Sequence, residues 1–226
     1  MNTFIITRFI NRLTNRLQSV STSLFVNMFS AVLISCVMAS SAQAMEAPDL
    51  VVKRTIDDVV VKIQTNRSEY RADPNKLYAM MEDTFIPAIH VDRMALLILG
   101  NGGRSATAEQ KAAFTHEFKT FLIRSYATAL LDYTSENQVI YTPTIIEAGE
   151  DRVDVNAEFV GSDGQKYPFT LQMSNRSDTS WRAYNIEVAG INFVATYRAT
   201  FSGIIAQKGI DGLINDLKEK NAKLAS

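Results

Sequence analysis

Few residues in this sequence could support chemistry that depends on an imidazole or a thiol, because it contains two histidines and one cysteine. His116-Glu117 begins like the helix of a zinc metalloprotease, in which a second histidine four residues after the first completes the pair of ligands. Thr120 stands at that position, so the second ligand is missing. The other histidine, His90, has no suitably spaced acidic loop to complete a metal site. We therefore predict no metal site and interpret both histidines as structural or surface residues.

The neighbouring carboxylates do not form a catalytic pair either. Asp57-Asp58 and Glu82-Asp83 are adjacent on predicted helices, where residues i and i+1 do not face each other. The sequence has no Gly-x-Ser-x-Gly elbow, no glycine-rich phosphate loop and no dinucleotide-binding fingerprint. These features predict that the protein is not an enzyme and holds no cofactor.

Composition excludes two further classes of protein. The 226 residues include 23 Lys+Arg against 24 Asp+Glu, and 46% are hydrophobic. A nucleic-acid-binding protein would carry a one-signed excess of basic residues, so we predict no nucleic-acid partner. A disordered chain would lack this much apolar and aromatic content.

The first 44 residues differ from the rest and predict a cleaved secretory signal peptide. They contain Arg8, Arg12 and Arg16 but no acid, then an apolar run over 24–39, then Ala42-Gln43-Ala44. A basic stretch, a short apolar stretch and small residues at −3 and −1 are typical of such a peptide, with cleavage before Met45. Residues 45–226 are then one domain with 20 basic and 24 acidic side chains and no cysteine.

Two alternatives to cleavage before Met45 remain open. A membrane anchor would need about 20 apolar residues, whereas the apolar run has 16 and includes Asn27 and two serines. Lipid attachment at Cys36 would suit the preceding Leu33-Ile34-Ser35. Against it, the chain stays apolar through Met38 and reaches a better cleavage site eight residues later.

Apolar residues at three- and four-residue spacing predict a series of helices in the remaining chain. The first covers 48–63, Asp73-Pro74 starts the second, Pro87 ends it, and a third covers 91–99 before the loose run 101–103. Thr107 to Gln110 has the form of a capping box and predicts the start of a long helix. That helix carries one aromatic-rich apolar stripe, formed by Phe114, Phe118, Phe121, Leu122, Tyr126, Ala129 and Leu130.

After residue 133 the apolar period changes from helical to two, which predicts strands. The alternating runs cover 153–159 and 167–173, with the turn Gly161-Ser162-Asp163-Gly164 between them, and flanking strands are predicted at 139–146 and 181–188. Two helices at 193–207 and 211–220, separated by Gly209, end the pattern. The order of elements predicts an α+β fold: a four-stranded twisted antiparallel sheet covered by helices from both ends of the chain.

The number of apolar helix faces leaves two interpretations open. The aromatic stripe and the sheet can pack directly as ordinary core, as such stripes usually do. Alternatively, bulky rings such as Phe118, Phe159 and Trp181 line an apolar pocket between helix and sheet. Periodicity does not distinguish these interpretations.

A resemblance to a known family favours the pocket. The chain resembles the MlaC-type periplasmic phospholipid-binding proteins, also described as toluene-tolerance auxiliary proteins, over nearly all of residues 45–226. The resemblance rests on these residues in this order: Arg71-Ala72-Asp73-Pro74, Leu99-Gly100, Ser105-Ala106-Thr107, Gln110, Phe114, Phe118, Leu122, Tyr126, Trp181, Tyr184, Glu187-Val188-Ala189-Gly190-Ile191, Tyr197-Arg198, Phe201 and Lys208-Gly209-Ile210-Asp211-Gly212-Leu213. Gly103, Asn185 and Asn192 depart from the family's usual residues.

The resemblance implies a function and a set of site residues. It implies a periplasmic carrier that moves phospholipid, as cargo, between an inner-membrane ABC transporter with an MCE-domain ring and an outer-membrane lipoprotein–porin complex. Arg104 and Arg198 are candidates for contact with the lipid phosphate, because arginine matches phosphate oxygens bidentately. The predicted contacts to the acyl tails are Phe118, Phe121, Leu122, Tyr126, Val155, Phe169, Leu171, Trp181, Val188, Ile191, Phe193 and Tyr197.

Each predicted contact has an alternative. The twelve apolar residues can be plain core, and the two arginines can make surface salt bridges or partner contacts. Two other functions also stay open: a ligand-free envelope adaptor or chaperone, and an envelope lipid hydrolase.

Overall fold

The structure is a computed structural model that describes residues 45–132, 138–161, 163–176 and 180–225. The predicted signal peptide and the alternative attachment site at Cys36 lie outside the described residues. The helices are α1 Pro48–Ala72, α2 Pro74–Thr84, α3 Val91–Leu99, α4 Gly102–Ser105, α5 Ala108–Tyr126 and α6 Phe193–Lys223, with 3-10 turns at Ile86–Ala88 and Ala127–Asp132. The strands are β1 Gln138–Tyr141, β2 Arg152–Val160, β3 Lys166–Ser174, β4 Arg182–Val188 and β5 Ile191–Asn192.

The predicted helix starts are confirmed by their capping bonds. The Asp73 side chain accepts a hydrogen bond from the Asn75 amide, and Pro74 occupies the first turn of α2. Thr107 accepts from the Gln110 amide while the Gln110 side chain accepts from the Thr107 amide, which completes a capping box at the start of α5. These bonds satisfy amides that have no partner inside the helix.

The helix ends differ from the prediction in two places. The first helix does not stop at residue 63 but continues to Ala72 past a kink at the non-helical Asn66. The run predicted to be loose forms the short helix α4. The predicted break at Gly209 is confirmed, because Gly209 has φ 71° and ψ 179° and separates the two helical halves of α6. Local polarity suggested a stop after residue 63, whereas the helix resumes beyond the kink because its later turns pack in the second core.

The strands form an antiparallel sheet in the order β1-β2-β3-β4-β5. This confirms the α+β class and the four predicted strands, and it adds a fifth. The fifth strand has two residues, Ile191 and Asn192, which is too short to give a periodic signal. The first strand ends at Tyr141 rather than Ile146, and the β2–β3 turn is closed by a bond from the Gly164 amide to the Gly161 carbonyl.

Two groups of buried side chains hold the described residues together. The main core lies between the sheet and helices α1, α3, α5 and α6, and includes Phe114, Phe118, Val155, Trp181 and Phe201. The second core joins the later turns of α1 to α2, the end of α5 and the following 3-10 turn, with Leu77 at its centre. Among the described residues, no helix has the length and apolar content needed to cross a membrane.

Candidate functional site

The aromatic stripe of α5 packs against the first turns of α6. The Phe118 ring lies 5.6 Å from Tyr197 and 6.1 Å from Phe201, measured between ring centroids. Phe193 lies 4.6 Å from Tyr197, and Tyr126 lies 6.2 Å from Phe193. Most of these rings meet edge to face or tilted, which is the favourable arrangement for aromatic pairs. The five rings, together with Phe114 and Phe121, form what we call the aromatic cluster.

The apolar face of the sheet is buried at one end and uncovered at the other. Residues paired across antiparallel strands share a face, so the pairs of Val155 with Leu171 and of Phe169 with Val188 lie on the same side. Val155 is fully buried, and Leu171 is half-buried against the main core. Val188 is 43% exposed, and Ile191, its partner on β5, is 66% exposed. The cover provided by the helices therefore ends partway along the strands.

The uncovered end of the sheet is continuous with the edge of the aromatic cluster. Phe193 follows Ile191 by two residues, and its ring contacts Tyr126, which is 51% exposed. We call Tyr126, Phe169, Val188, Ile191 and Phe193 the open apolar strip. Three of its members, Tyr126, Val188 and Ile191, are exposed, and exposed apolar side chains grouped on one surface can mark a site of interaction.

The twelve residues predicted to contact acyl tails occupy three environments. Phe118, Val155 and Trp181 are fully buried in the main core. The half-buried residues that pack against that core are Phe121, Leu122, Leu171 and Tyr197, and the strip residue Phe193 also packs against it. The remaining five form the open apolar strip. Ile186, which pairs with Leu171 on the same face, was missed, although its alternation with Val188 could have indicated it.

The hydroxyls of Tyr126 and Tyr197 form a hydrogen bond of 2.7 Å across the aromatic cluster. Burial raises the pKa of the Tyr197 hydroxyl well above its usual value, and the bond to Tyr126 raises it further. Both effects favour the neutral phenol. Because 71 residues separate the two tyrosines, no local pattern could have predicted this contact.

The two predicted phosphate-binding arginines lie near the α3–α4 junction. The Arg198 Nε donates to the Leu97 carbonyl at 2.6 Å and so satisfies one of the free carbonyls at the end of α3. Its aliphatic chain lies beside Gly100, where an added Cβ would contact Arg198 Cδ at 3.4 Å. Arg104 lies exposed on α4. Arg198 thus holds α6 to α3, and a contact of either arginine with phosphate stays a prediction.

The histidines do not converge on a polar site. His116 lies exposed on α5, and the His90 backbone amide donates to the Ala183 carbonyl at the edge of β4. Among the residues that the structure describes, no group of three or more His, Cys, Asp and Glu side chains could hold a metal ion.

A polar cavity of about 520 Å³ lies at the β1–β2 connection and outside the strip. It is lined by Thr142, Pro143, Thr144, Ile145, Glu150, Arg152, Val153, Asp154 and Asn156. None of the fourteen predicted site residues contributes to this lining.

Comparison with known proteins identifies the family. The family model described as MlaC protein matches residues 53–219. The chain belongs to the MlaC family. This confirms the family indicated by the order of motifs from Arg71 to Leu213.

Two curated relatives resemble the chain over most of its length. One is the intermembrane phospholipid transport system binding protein MlaC of Haemophilus influenzae, which is 25% identical over 83% of this chain and 88% of that protein. The other is the toluene tolerance protein ttg2D of Pseudomonas putida, which is 27% identical over 74% of this chain and 77% of that protein.

A solved structure shares the fold. The phospholipid-binding protein of Ralstonia solanacearum, determined in complex with a phospholipid, superposes with a TM-score of 0.73 and 26% identity. The match covers 80% of this chain and all of that one.

The three departures from the usual MlaC residues each have a structural role here. The Asn185 side chain accepts a bond from the Val194 amide, and Asn192 caps α6 by accepting from the Ala195 amide. Asparagine provides the side-chain oxygen that both positions need. At Gly103 an added Cβ would lie 3.1 Å from Leu99 Cβ, so the absence of a side chain permits the close approach of α4 to α3.

Proposed function

We propose that this protein is a periplasmic phospholipid carrier. In this proposal it shuttles lipid between an inner-membrane ABC transporter with an MCE-domain ring and an outer-membrane lipoprotein–porin complex, and so maintains the asymmetry of the outer membrane. Membership of the MlaC family supports the proposal, as do the Haemophilus influenzae relative named for intermembrane phospholipid transport and the phospholipid-bound structural neighbour. The observation that carries it is the open apolar strip leading into the aromatic cluster.

The physical requirement on such a carrier is to keep hydrocarbon dry. Exposing one methylene to water costs about 0.8 kcal/mol, so roughly 30 methylenes of a diacyl lipid would cost more than 20 kcal/mol. Transfer becomes possible when the tails leave the membrane for another apolar surface. The free energy lost on leaving the membrane interior is then nearly balanced by the free energy gained on burial in the protein. Differences of about 1–3 kcal/mol, typical of coupling between linked sites, are then enough for a partner to set the direction.

The geometry indicates how tails would enter. Tails that follow the strip inward from Val188 meet the half-buried rings of Phe193 and Tyr197, which lie 4.6 Å apart on the first turns of α6. Phe118 and Val155 lie fully buried in the same main core. We therefore expect Phe193 and Tyr197 to rotate when lipid binds, while Phe118 and Val155 form the floor of the site.

The first test is the identity of the cargo. The chain is expressed with its own first 44 residues, recovered from the periplasmic fraction and extracted with organic solvent, and the extract is measured by mass spectrometry. We expect phospholipid at close to one molecule per protein and a mature N-terminus at Met45. An extract without lipid would favour the adaptor, whereas free fatty acid released from added phospholipid would favour the hydrolase.

The second test is a charge placed in the strip. Val188→Glu should lower the co-purified phospholipid at least fivefold, because a carboxylate would have to lose its hydration against the tails. Val188 is better suited than the half-buried Leu171, since it is partly exposed and its replacement spares the main core. Val61→Glu is the matched control on α1, where the valine is 60% exposed. Equal lipid in both folded variants would show that the strip is not the binding site.

A further inference from the structure

The aromatic cluster contains two polar side-chain atoms, the hydroxyls of Tyr126 and Tyr197, and they are bonded to each other. The other members, Phe114, Phe118, Phe121, Phe193 and Phe201, contribute only hydrocarbon. The two tyrosines are not needed to fill space, because two phenylalanines would pack equally well. The half-buried Tyr197 hydroxyl finds its partner in the hydroxyl of the more exposed Tyr126.

The hydrogen bond between the two tyrosines uses only one of their two O–H donors. Two neutral phenols carry two O–H groups, and one of them is donated within the pair. The second O–H is not used in this bond and can donate to another acceptor, and either tyrosine can be the one that carries it. Burial and the bond to Tyr126 raise the pKa of Tyr197, which favours the neutral phenol in the pair.

The position of the pair defines the acceptor it can meet. Tyr126 is half exposed at the outer edge of the open apolar strip, whereas Tyr197 is half-buried against Phe118 and Phe121. The hydroxyls therefore lie at the boundary between hydrocarbon and water. A molecule whose chain lies on the strip would place at this boundary the group that joins its chain to its polar end.

We propose that the Tyr126–Tyr197 hydroxyl pair donates a hydrogen bond to an ester carbonyl oxygen of a bound diacyl glycerophospholipid. The proposal rests on the proposed function. The ester carbonyl is the first acceptor that follows the hydrocarbon of each tail, so the bond fixes how deeply the tails enter. The pair would thereby select acyl-ester lipids over lipids of the same shape that lack the carbonyl. A buried polar group left without its partner is penalised, which gives such a site its power to discriminate.

The test compares two lipids that differ only in the carbonyl. Lipid-free full-length protein is titrated with a diester phosphatidylcholine and with its dialkyl-ether analogue of equal chain length, each displacing a fluorescent lipid. We expect the diester lipid to bind about five- to tenfold more tightly, as one hydrogen bond would provide. Because both lipids carry the same phosphate and headgroup, a preference between them cannot arise from donation to phosphate. Equal affinities would overturn the proposal while leaving lipid binding intact.

The variant that tests the assignment is the double substitution Tyr126→Phe/Tyr197→Phe. Either single variant keeps one hydroxyl whose proton can reach the carbonyl, so only the double variant should lose the ester preference completely. Tyr78→Phe is the matched control, because the Tyr78 hydroxyl lies beside Leu224 and its ring packs on the second core.

If the double variant retains the preference, the hydroxyls are not its source and the proposal is wrong. If the double variant does not fold, the ester-to-ether ratio of the unaltered protein still decides the question. Failure of the unaltered protein to bind either lipid would overturn both this proposal and the proposed function.

Discussion

Tyr197 illustrates how folding changes the chemistry of a single residue. Burial, reinforced by the bond to Tyr126, raises the pKa of its hydroxyl above the ordinary value of 10. The folded protein therefore holds this proton at pH values where the unfolded chain has released it. By linkage, the stabilisation is complete below pH 10 and is lost as the pH rises from there toward the folded pKa.

The upward direction of this pKa shift gives a prediction for the stability of the protein at alkaline pH. The free energy of unfolding should fall more steeply above pH 10 in the unaltered protein than in Tyr197→Phe, and the two slopes should agree below about pH 9. Urea unfolding followed by circular dichroism at half-unit steps of pH measures both slopes. Parallel curves through pH 11 would mean that Tyr197 titrates as it does in the unfolded chain.

For individual residues, the sequence predicted which side chains at the candidate site are apolar better than it predicted how buried each one is. The predicted tail contacts are apolar in the structure, but Phe118 is buried in the main core whereas Ile191 is 66% exposed. Both lie on regularly spaced apolar patterns, and such patterns record which face a residue occupies. How far the covering element extends over that face is a tertiary property. Arg198 shows the same limit, because its bond to Leu97 depends on how α6 crosses α3.

At the scale of elements, α6 is the clearest case in which a single residue sets geometry. Gly209 has φ 71° and forms the kink between the half of α6 that carries Tyr197 and the half that carries Leu213. With ψ 179° as well, this is an extended conformation at positive φ that residues with a Cβ rarely adopt, and the strain is about 1–3 kcal/mol. Straightening the helix would move one of the two halves away from the main core, which both of them contact.

Two glycine substitutions on the same helix should therefore act in opposite directions. Gly209→Ala should lower the free energy of unfolding by about 1–3 kcal/mol. Gly203→Ala, in a regular exposed turn with nothing within 4 Å of the added Cβ, should raise it by up to about 1 kcal/mol. Chemical denaturation of both variants provides the measurement. A stabilising Gly209→Ala would show that the kink does not require glycine.

Elements with strong local signals were predicted correctly, whereas weakly marked ones were not. The capping residues of α2 and α5 and the alternation of β2 and β3 were predicted because each is encoded within a few neighbouring positions. The two-residue β5 and the continuation of α1 through Asn66 were missed. In these cases pairing with β4 and packing against α2 and the following turns outweigh local preference.

For the whole molecule, the predicted site residues and the second core are different groups of side chains. None of the fourteen predicted site residues belongs to the second core, whereas eight of the twelve predicted tail contacts lie in or against the main core. The second core packs α2 against α1 and the end of α5, and its α2 members Leu77, Met80 and Met81 belong to a different cluster from the strip residue Phe193. Weakening the second core from α2 should therefore leave the predicted lipid-binding surface unaltered.

Leu77→Ala tests this separation. Leu77 is fully buried in the second core, so its truncation should lower the free energy of unfolding by about 2–5 kcal/mol. The phospholipid recovered per folded molecule should remain unchanged in a mass-spectrometric assay of the purified variant. A parallel loss of lipid would show that the two cores act as one unit in binding.

The sequence by itself determined the α+β class, the MlaC family and the apolar nature of the candidate site. These properties are written in local spacing and in the order of motifs, so they can be recognised without coordinates. Only the tertiary structure decided which apolar residues stay uncovered and that Tyr126 and Tyr197 share a hydrogen bond. The reason is that exposure and long-range contact depend on where each helix ends over the sheet and at what angle it crosses its neighbours. Those quantities arise from the packing of residues far apart in the chain.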